Sequence, residues 1–299
     1  MYKRQVCFLL PACWEWADNQ SPDEWAAKIS YLREKGWLDR GYSYITDEPG
    51  PEQYPHCRDL ADKIHSAGRD ARMLLTEQPE PELLGAVDIW CPILSSVKRD
   101  DIRQRQAAGE SYWWYTCCVP QSPYPTYLLD DDAVSTRVLS WAQALYGVEG
   151  VLYWGTTYWG SDGKGGIQEL WESASTAGGA NGDGYLLYPG RHYGPPGPVG
   201  SVRPELIRQR NEDFEYLELL RKLLVERNRD AANDELARFI EPVCRSLTDS
   251  SRDPAQLEHQ RQVVAEAIEA LPVSYTHLRA HETVLDLVCR LLLEKKKHT

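Results

Sequence analysis

Phenylalanine is nearly missing from this 299-residue chain, with 3 copies against 11 tryptophans and 17 tyrosines. A purely structural core normally draws more on phenylalanine, whereas flat rings with a polar edge suit the apolar faces of sugars. Composition alone leaves two readings open, a sugar-binding surface or drift in a tryptophan-rich core. Long apolar runs are lacking, and none approaches the roughly 20 residues of a membrane-spanning helix. Positive charge is scarce, with 33 Lys and Arg against 45 Asp and Glu. The net charge of −12 argues against nucleic acid or an anionic membrane surface as partner. No cysteine pair has the two-residue spacing of a zinc module, and no repeat recurs at solenoid spacing. Nothing in the sequence calls for a metal or an organic cofactor.

Both ends read as translated sequencing adapter, the mark of a metagenomic fragment. Residues 273–283 match one frame of a common transposase-based library adapter codon by codon, and residues 286–295 continue it into an A-run that supplies Lys296 and Lys297. Met1 to Gln5 is the same adapter read from a GTG start. Helical apolar content in residues 284–293 offers an amphipathic helix as the alternative, but periodicity does not explain a codon match. The expected organisation is therefore adapter at 1–5, a natural segment at 6–271 and an adapter tail at 272–299. On that reading His277, His281, His298 and Cys289 belong to no site, and the natural segment carries 26 basic and 42 acidic residues, a formal charge of −16. Its cysteines (Cys7, Cys13, Cys57, Cys91, Cys117, Cys118 and Cys244) are odd in number and are expected to be mostly reduced core residues. The compartment stays open.

Ser21-Pro22-Asp23-Glu24 predicts a helix start, with a Ser cap, Pro in the first turn and acids where the helix dipole favours them. That helix runs to about Lys35 and is stopped by Gly36. Five strands are predicted to start at Tyr42, Arg72, Val87, Tyr112 and Gly150, with helices over 55–67, 97–108 and 131–146 between them. Such alternation predicts parallel βα units. A glycine-rich loop, 161–184, interrupts the pattern before a strand at 185–188, and loops that long are usually functional. Residues 203–227 and 231–271 read as amphipathic helix.

Asp47-Glu48-Pro49 follows an aromatic strand. In a (β/α) barrel the carboxyl ends of the strands form the active-site face, and two carboxylates there can divide acid and base work. The competing reading is a helix cap, with Asp47 as N-cap and Glu48 and Pro49 in the first turn. Trp113, Trp114 and Tyr115 end another strand, and Trp154, Tyr158 and Trp159 follow the next, suggesting an aromatic-walled cleft that stacks sugars. Alternation sends only half of each strand inward, so some of these rings are plain packing, as is expected of Trp90.

Several segments together resemble the catalytic domain of glycoside hydrolase family 123 and its uncharacterised relatives, often filed as a domain of unknown function. They are Glu34-Lys-Gly-Trp37, Tyr44-Ile-Thr-Asp-Glu-Pro49, Val87-Asp-Ile-Trp90, Trp113-Trp-Tyr115, Gly150-Val-Leu-Tyr-Trp154, Gly182-Asp-Gly-Tyr-Leu-Leu-Tyr-Pro-Gly190, Ser201-Val-Arg203 with Glu205 and Arg208, and Glu212-Asp-Phe-Glu-Tyr-Leu217. The resemblance implies an α/β fold, a (β/α)8 TIM-type barrel followed by C-terminal helices. Here the barrel is expected to be incomplete, its five strands corresponding to the fourth through eighth. A barrel lacking an arc exposes two sheet edges, so the chain as it stands is expected to aggregate and turn over little substrate. The residues from Val6 to about Ala17 are the remnant of a further strand and loop on this reading.

The resemblance also implies a retaining, substrate-assisted glycosidase acting on a β-linked 2-acetamido sugar, N-acetylgalactosamine first. Glu48 would protonate the glycosidic oxygen and later activate water. Asp47 would orient the acetamido group, whose carbonyl oxygen attacks the anomeric carbon. That scheme departs from the common one in which a second carboxylate is itself nucleophile or base. Asp183 and Tyr185 would reach the substrate from the long loop. Asp130 and Arg137 either support the site or, for the acids at 130–132, open a solvated helix. Arg203, Glu205, Arg208 and Asp213 are expected to form a structural ion-pair network. The rivals are a non-catalytic carbohydrate-binding barrel and a glycosidase of the same fold with another sugar specificity.

Overall fold

The computed structural model describes residues 8–9 and 21–271, apart from 45, 162, 165, 178 and 229. The segments read as translated adapter, 1–5 and 272–299, lie outside the described residues. Six short strands form one parallel sheet in simple chain order: β1 (Phe8–Leu9), β2 (Gly41–Tyr44), β3 (Met73–Leu75), β4 (Ile89–Trp90), β5 (Ser111–Thr116) and β6 (Gly150–Tyr153). The five predicted strands are all present, and β1 extends the sheet on the side where a remnant strand was expected.

Helices fill four of the five connections, and between β3 and β4 there is only the short helical turn Pro81–Leu83. α1 (Pro22–Glu34) starts on a reciprocal capping box, in which Ser21 N donates to Glu24 Oε2 at 2.9 Å and Glu24 N donates to Ser21 Oγ at 3.3 Å. Trp25, Ile29 and Leu32 recur at helical spacing and are the buried face. The Trp25 indole N–H donates to Ile64 O at 3.0 Å, tying α1 to α2 (Tyr54–His65). α3 (Arg99–Ala107) and α4 (Ala133–Tyr146) follow. α4 ends on Gly147, whose φ of +69° suits a residue without a Cβ.

The strand residues sort onto two faces with a period of two. Met73, Leu75, Trp90, Tyr112, Trp114, Val151 and Tyr153 join the large core beneath the helices. Tyr42, Tyr44, Leu74, Ile89, Cys91, Trp113, Tyr115 and Leu152 form a second, smaller cluster on the opposite face. The sheet is strongly curled around that second face. β2 and β5 lie three strands apart, which would be about 14 Å in a flat sheet. Yet the rings of Tyr42 and Trp113 meet edge to face with centroids 5.2 Å apart. Gly150 allows this arrangement, because a Cβ there would sit 2.3 Å from the Trp113 ring.

Two expectations need correction. The strand predicted at 185–188 is reduced to β9 (Leu187–Tyr188), which pairs antiparallel with β10 (Val199–Gly200) and stays out of the parallel sheet. Within the long loop, Ser175–Ala177 and Ala180–Asn181 form another small hairpin, β7 and β8. After α5 (Val202–Arg227), the stretch predicted as one helix is two: α6 (Ala232–Ile240) and α7 (Pro254–Ala270). A hairpin of β11 (Cys244–Ser246) and β12 (Asp249–Ser250) separates them. Pro242 cannot continue a helix, and Asp253-Pro254 restarts one with the Asp253 carboxyl accepting Ala255 N–H at 2.9 Å.

α4, α5 and α7 carry a buried ion-pair cluster. Arg137 grips Asp213 through two bonds of 2.9 Å and reaches Glu258 at 3.1 Å, while Arg261 approaches Asp213 at 3.4 Å. Of the predicted network of four residues only Arg203 stands apart, because Arg261 also reaches Glu212 at 3.4 Å and so links Asp213 to the pairs made by Arg208. Arg208 pairs with Glu205 and Glu212 on the α5 surface. Among the described residues Arg203 has no carboxylate partner, and it donates to the backbone carbonyls of Tyr127 (3.0 Å), Gly182 (2.6 Å) and Tyr185.

Candidate active site

The chain leaves β2 through a bend that carries Asp47 and Glu48, both exposed, and the next helical turn begins only at Pro51. Gly50 occupies the N-cap position of that turn, so the cap reading of Asp47 and Glu48 is not what the structure shows. Glu48 has a φ of +44°, the one left-handed non-glycine residue among the described residues. Pro49 behind it already discourages the right-handed helical conformation. Such strain persists only where surrounding structure enforces it, and it concentrates at functional sites.

Three hydroxyls supply that enforcement. The Tyr44 hydroxyl donates to Asp47 Oδ1, and Thr76 Oγ1 donates to the same oxygen at 3.0 Å. Thr76 Oγ1 also accepts the Glu48 backbone N–H at 2.8 Å. From three strands away, the Tyr115 hydroxyl donates to Glu48 Oε1. Thr76 is 4% exposed, so one buried hydroxyl at the carboxyl end of β3 locks the turn that carries both acids. Among the described residues Glu48 Oε2 has no protein partner and remains open to a bound molecule.

Burial pushes the Tyr44 and Tyr115 phenols far above their ordinary range, and the carboxyl groups they serve push them further. Both therefore stay protonated and act as fixed hydrogen-bond donors. The Cys91 thiol, on the same face, is raised well above its usual value by burial and then by the charge of Asp47. Glu77, next after Thr76, is raised by burial, with the charges of Glu80 and Glu48 adding to it.

The predicted aromatic residues divide. Trp113 and Tyr115 lie on the same sheet face as Tyr44. Trp114 points the other way, is fully buried and packs edge to face on Tyr146 with centroids 6.1 Å apart, so it offers no surface to a sugar. Alternation along β5 is the physical reason. Trp154 and Tyr158 are 42% and 47% exposed and touch each other, with centroids 5.0 Å apart. The Trp159 indole N–H is used on Leu187 O at 2.8 Å. Asp183 is buried, accepting Trp154 Nε1 at 2.9 Å and the Tyr153 hydroxyl at 3.2 Å; it holds Trp154 in place rather than facing solvent. Burial raises its carboxyl above the ordinary range against those hydrogen bonds. Tyr185 is fully buried, with its hydroxyl on Ala174 O at 3.1 Å, so it too is packing.

Asp130 ties the start of α4 to the β8 hairpin by accepting Asn181 Nδ2 at 2.8 Å and Asn181 N at 3.2 Å. Arg137 belongs to the helical ion-pair cluster, not to the strand ends. Trp90 is core, as expected, with its N–H on Glu110 Oε2 at 2.6 Å. Sequence reasoning missed Thr76, Tyr44 and Glu77. A polar residue closing an otherwise apolar strand was the available signal for Thr76 and Glu77.

Among the described residues no group of three or more His, Cys, Asp or Glu suits a metal, and no helix is long and apolar enough to cross a membrane. Cys57, Cys91 and Cys244 are free and buried, and Cys117 and Cys118 are free and part-exposed.

Compared with known proteins, residues 26–220 match the family model described as glycoside hydrolase 123, catalytic domain. A solved structure with the same architecture is a family 123 glycoside hydrolase from Clostridium perfringens, described in a study of glycolipid glycan hydrolysis. Its TM-score is 0.56 at 18% sequence identity, over 84% of this chain and 45% of that one. The chain therefore spans less than half the length of that protein, and the likeness is one of fold. No curated protein matches.

Proposed function

The chain belongs to glycoside hydrolase family 123, and from that membership we propose that it is built to cleave a β-linked 2-acetamido sugar, N-acetylgalactosamine first, with retention of configuration. Glu48 gives a proton to the glycosidic oxygen as the bond to the anomeric carbon breaks. The substrate's own acetamido carbonyl oxygen closes onto that carbon, with Asp47 orienting the acetamido group. Glu48 then takes a proton from water, which opens the ring so formed. Two displacements at one carbon return the original configuration. The six strands in chain order are read as an arc of a (β/α)8 barrel, with the acids on its carboxyl face.

The observation that carries this reading is the clamped Asp47–Glu48 turn. Adjacent carboxyl groups can serve only if one needs to reach the leaving oxygen while the other acts elsewhere on the substrate. The two are held by different hydroxyls, Tyr44 and Thr76 on Asp47 and Tyr115 on Glu48. The glycolipid glycan in the description of the Clostridium perfringens enzyme supports a glycan as the substrate class.

The test compares aryl β-N-acetylgalactosaminide, β-N-acetylglucosaminide and plain β-galactoside, on this chain and on the gene extended beyond both adapter-like ends. Cleavage confined to acetamido sugars and lost in Glu48→Gln is the expected result. Equal cleavage of the plain galactoside removes the acetamido mechanism. Sugar binding without turnover in either form points instead to a carbohydrate-binding barrel.

A further inference from the structure

The long loop leaving the carboxyl end of β6 carries Trp171, which at 70% is the most exposed large apolar side chain among the described residues. An indole left in water forgoes the stabilisation that burial would give it. This one is nevertheless held in a fixed attitude. One face stacks on Tyr188, with centroids 5.1 Å apart and planes 6° from parallel, and Tyr193 meets it edge-on at 5.5 Å. Tyr188 rests in turn on the fully buried Tyr185, at 5.6 Å, so the platform is continuous with the core.

The backbone beneath the ring is fastened as well. Glu169 Oε1 accepts the Trp171 N–H at 3.1 Å and the Tyr193 hydroxyl at 2.9 Å, and Oε2 meets His192 Nε2 at 2.9 Å. Leu170 N–H donates to the Tyr193 hydroxyl at 3.2 Å, and the Leu170 side chain is buried. The result is a flat apolar plate with one side backed and one side open. A carboxylate and an imidazole, each more than a third exposed, lie beside it. An open ring face takes the C–H side of a pyranose, and the polar rim takes its hydroxyls. Glu169 beside it disfavours an anionic ligand.

We propose that Trp171, with Glu169 and His192, is a second sugar subsite that takes a neutral pyranose of the glycan beyond the residue cleaved at Asp47 and Glu48. The placement as a subsite of the same glycan rests on the function proposed above, because the loop springs from the strand-end face that carries the two acids. The sugar-binding chemistry of the plate does not depend on it.

The experiment uses the full chain carrying Glu48→Gln, titrated calorimetrically with a β-linked tetrasaccharide ending in N-acetylgalactosamine and with the aryl monosaccharide. Trp171→Ala is expected to lower tetrasaccharide affinity roughly tenfold more than monosaccharide affinity. Trp171→Phe keeps a ring on Tyr188 and is expected to recover most of that loss, which separates ring loss from collapse of the loop. Equal loss for the two ligands, or no loss in Trp171→Ala, overturns the subsite. Persistent Trp171-dependent binding, where neither the chain with Glu48 intact nor the gene extended beyond both ends hydrolyses either sugar, sinks the catalytic reading and leaves the plate. Hydrolysis with Trp171-independent binding does the reverse.

Discussion

Replacing Glu48 by glycine is expected to give a more stable protein than replacing it by alanine. An L-residue in the left-handed region costs about 1–2 kcal/mol, because its Cβ crowds the following carbonyl. Glu48 sits there at φ +44°. Both substitutions take the acceptor from the Tyr115 hydroxyl, and both leave the residue-48 N–H for Thr76 Oγ1 to accept at 2.8 Å. Their difference therefore isolates the backbone. Glycine loses more freedom on folding, which costs about 0.5–1 kcal/mol, so the net advantage of Glu48→Gly over Glu48→Ala is about 0.5–1 kcal/mol. With a urea m-value of about 3 kcal/mol/M, that is a midpoint about 0.2–0.3 M higher at unchanged slope. Equal midpoints, or a higher one for alanine, would refute the claim that strain is stored at this residue.

Thr76→Val keeps the shape but removes the donor to Asp47 and the acceptor of the Glu48 N–H. A loss of about 1–3 kcal/mol is expected in denaturant titration, with Thr76→Ser recovering most of it; a stable valine variant would remove Thr76 as the lock. In turnover, the valine change should lower kcat more than it raises KM, since it displaces the acids rather than the exposed rings of Trp154 and Tyr158. Glu77 supplies a pH dependence. Its carboxyl is raised above the ordinary glutamate value of 4.5 by burial and neighbouring acids, so the folded state holds that proton more tightly than the unfolded chain. Stability contributed by protonated Glu77 is present below 4.5 and is lost as pH rises through the folded value. Glu77→Gln should therefore gain on the wild type between pH 4 and pH 7 in denaturation midpoints, and a pH-independent difference would contradict this assignment.

The parts legible in the sequence were those written in local pattern. Ser21 to Glu24 announced α1 because a capping box is a contact between residues three apart. The strand starts were visible because β-branched and aromatic runs alternate with capped helices. The break between α6 and α7 was also present, in Pro242 and in Asp253-Pro254, but the apolar periodicity on either side masked it. What no local pattern contained was the curl of the sheet. Tyr115 lies 67 residues from Glu48, and only the curl brings its hydroxyl to that carboxyl. The split of the Tyr112–Tyr115 run into packing and site residues could be anticipated as an alternation, but its phase could not, because both faces of this strand are apolar. Trp114 was misplaced for that reason.

The same curl links stability to chemistry. Asp47 is fixed by its own strand end through Tyr44 and by the adjacent strand through Thr76. Glu48 is fixed by that adjacent strand and by one three strands away. Flattening the sheet would leave the Asp47 contacts nearly intact, since neighbouring strands stay about 4.8 Å apart in either shape. It would pull Tyr115 from Glu48 at once, together with Trp113 from Tyr42. Glu48, the general acid of the proposed mechanism, is therefore the group most exposed to any loosening of the arc, whereas Asp47, to which that mechanism gives the acetamido group, is buffered from it. Loosening should remove proton transfer before it removes sugar binding, and that order is what separates a relaxed enzyme from an unfolded one.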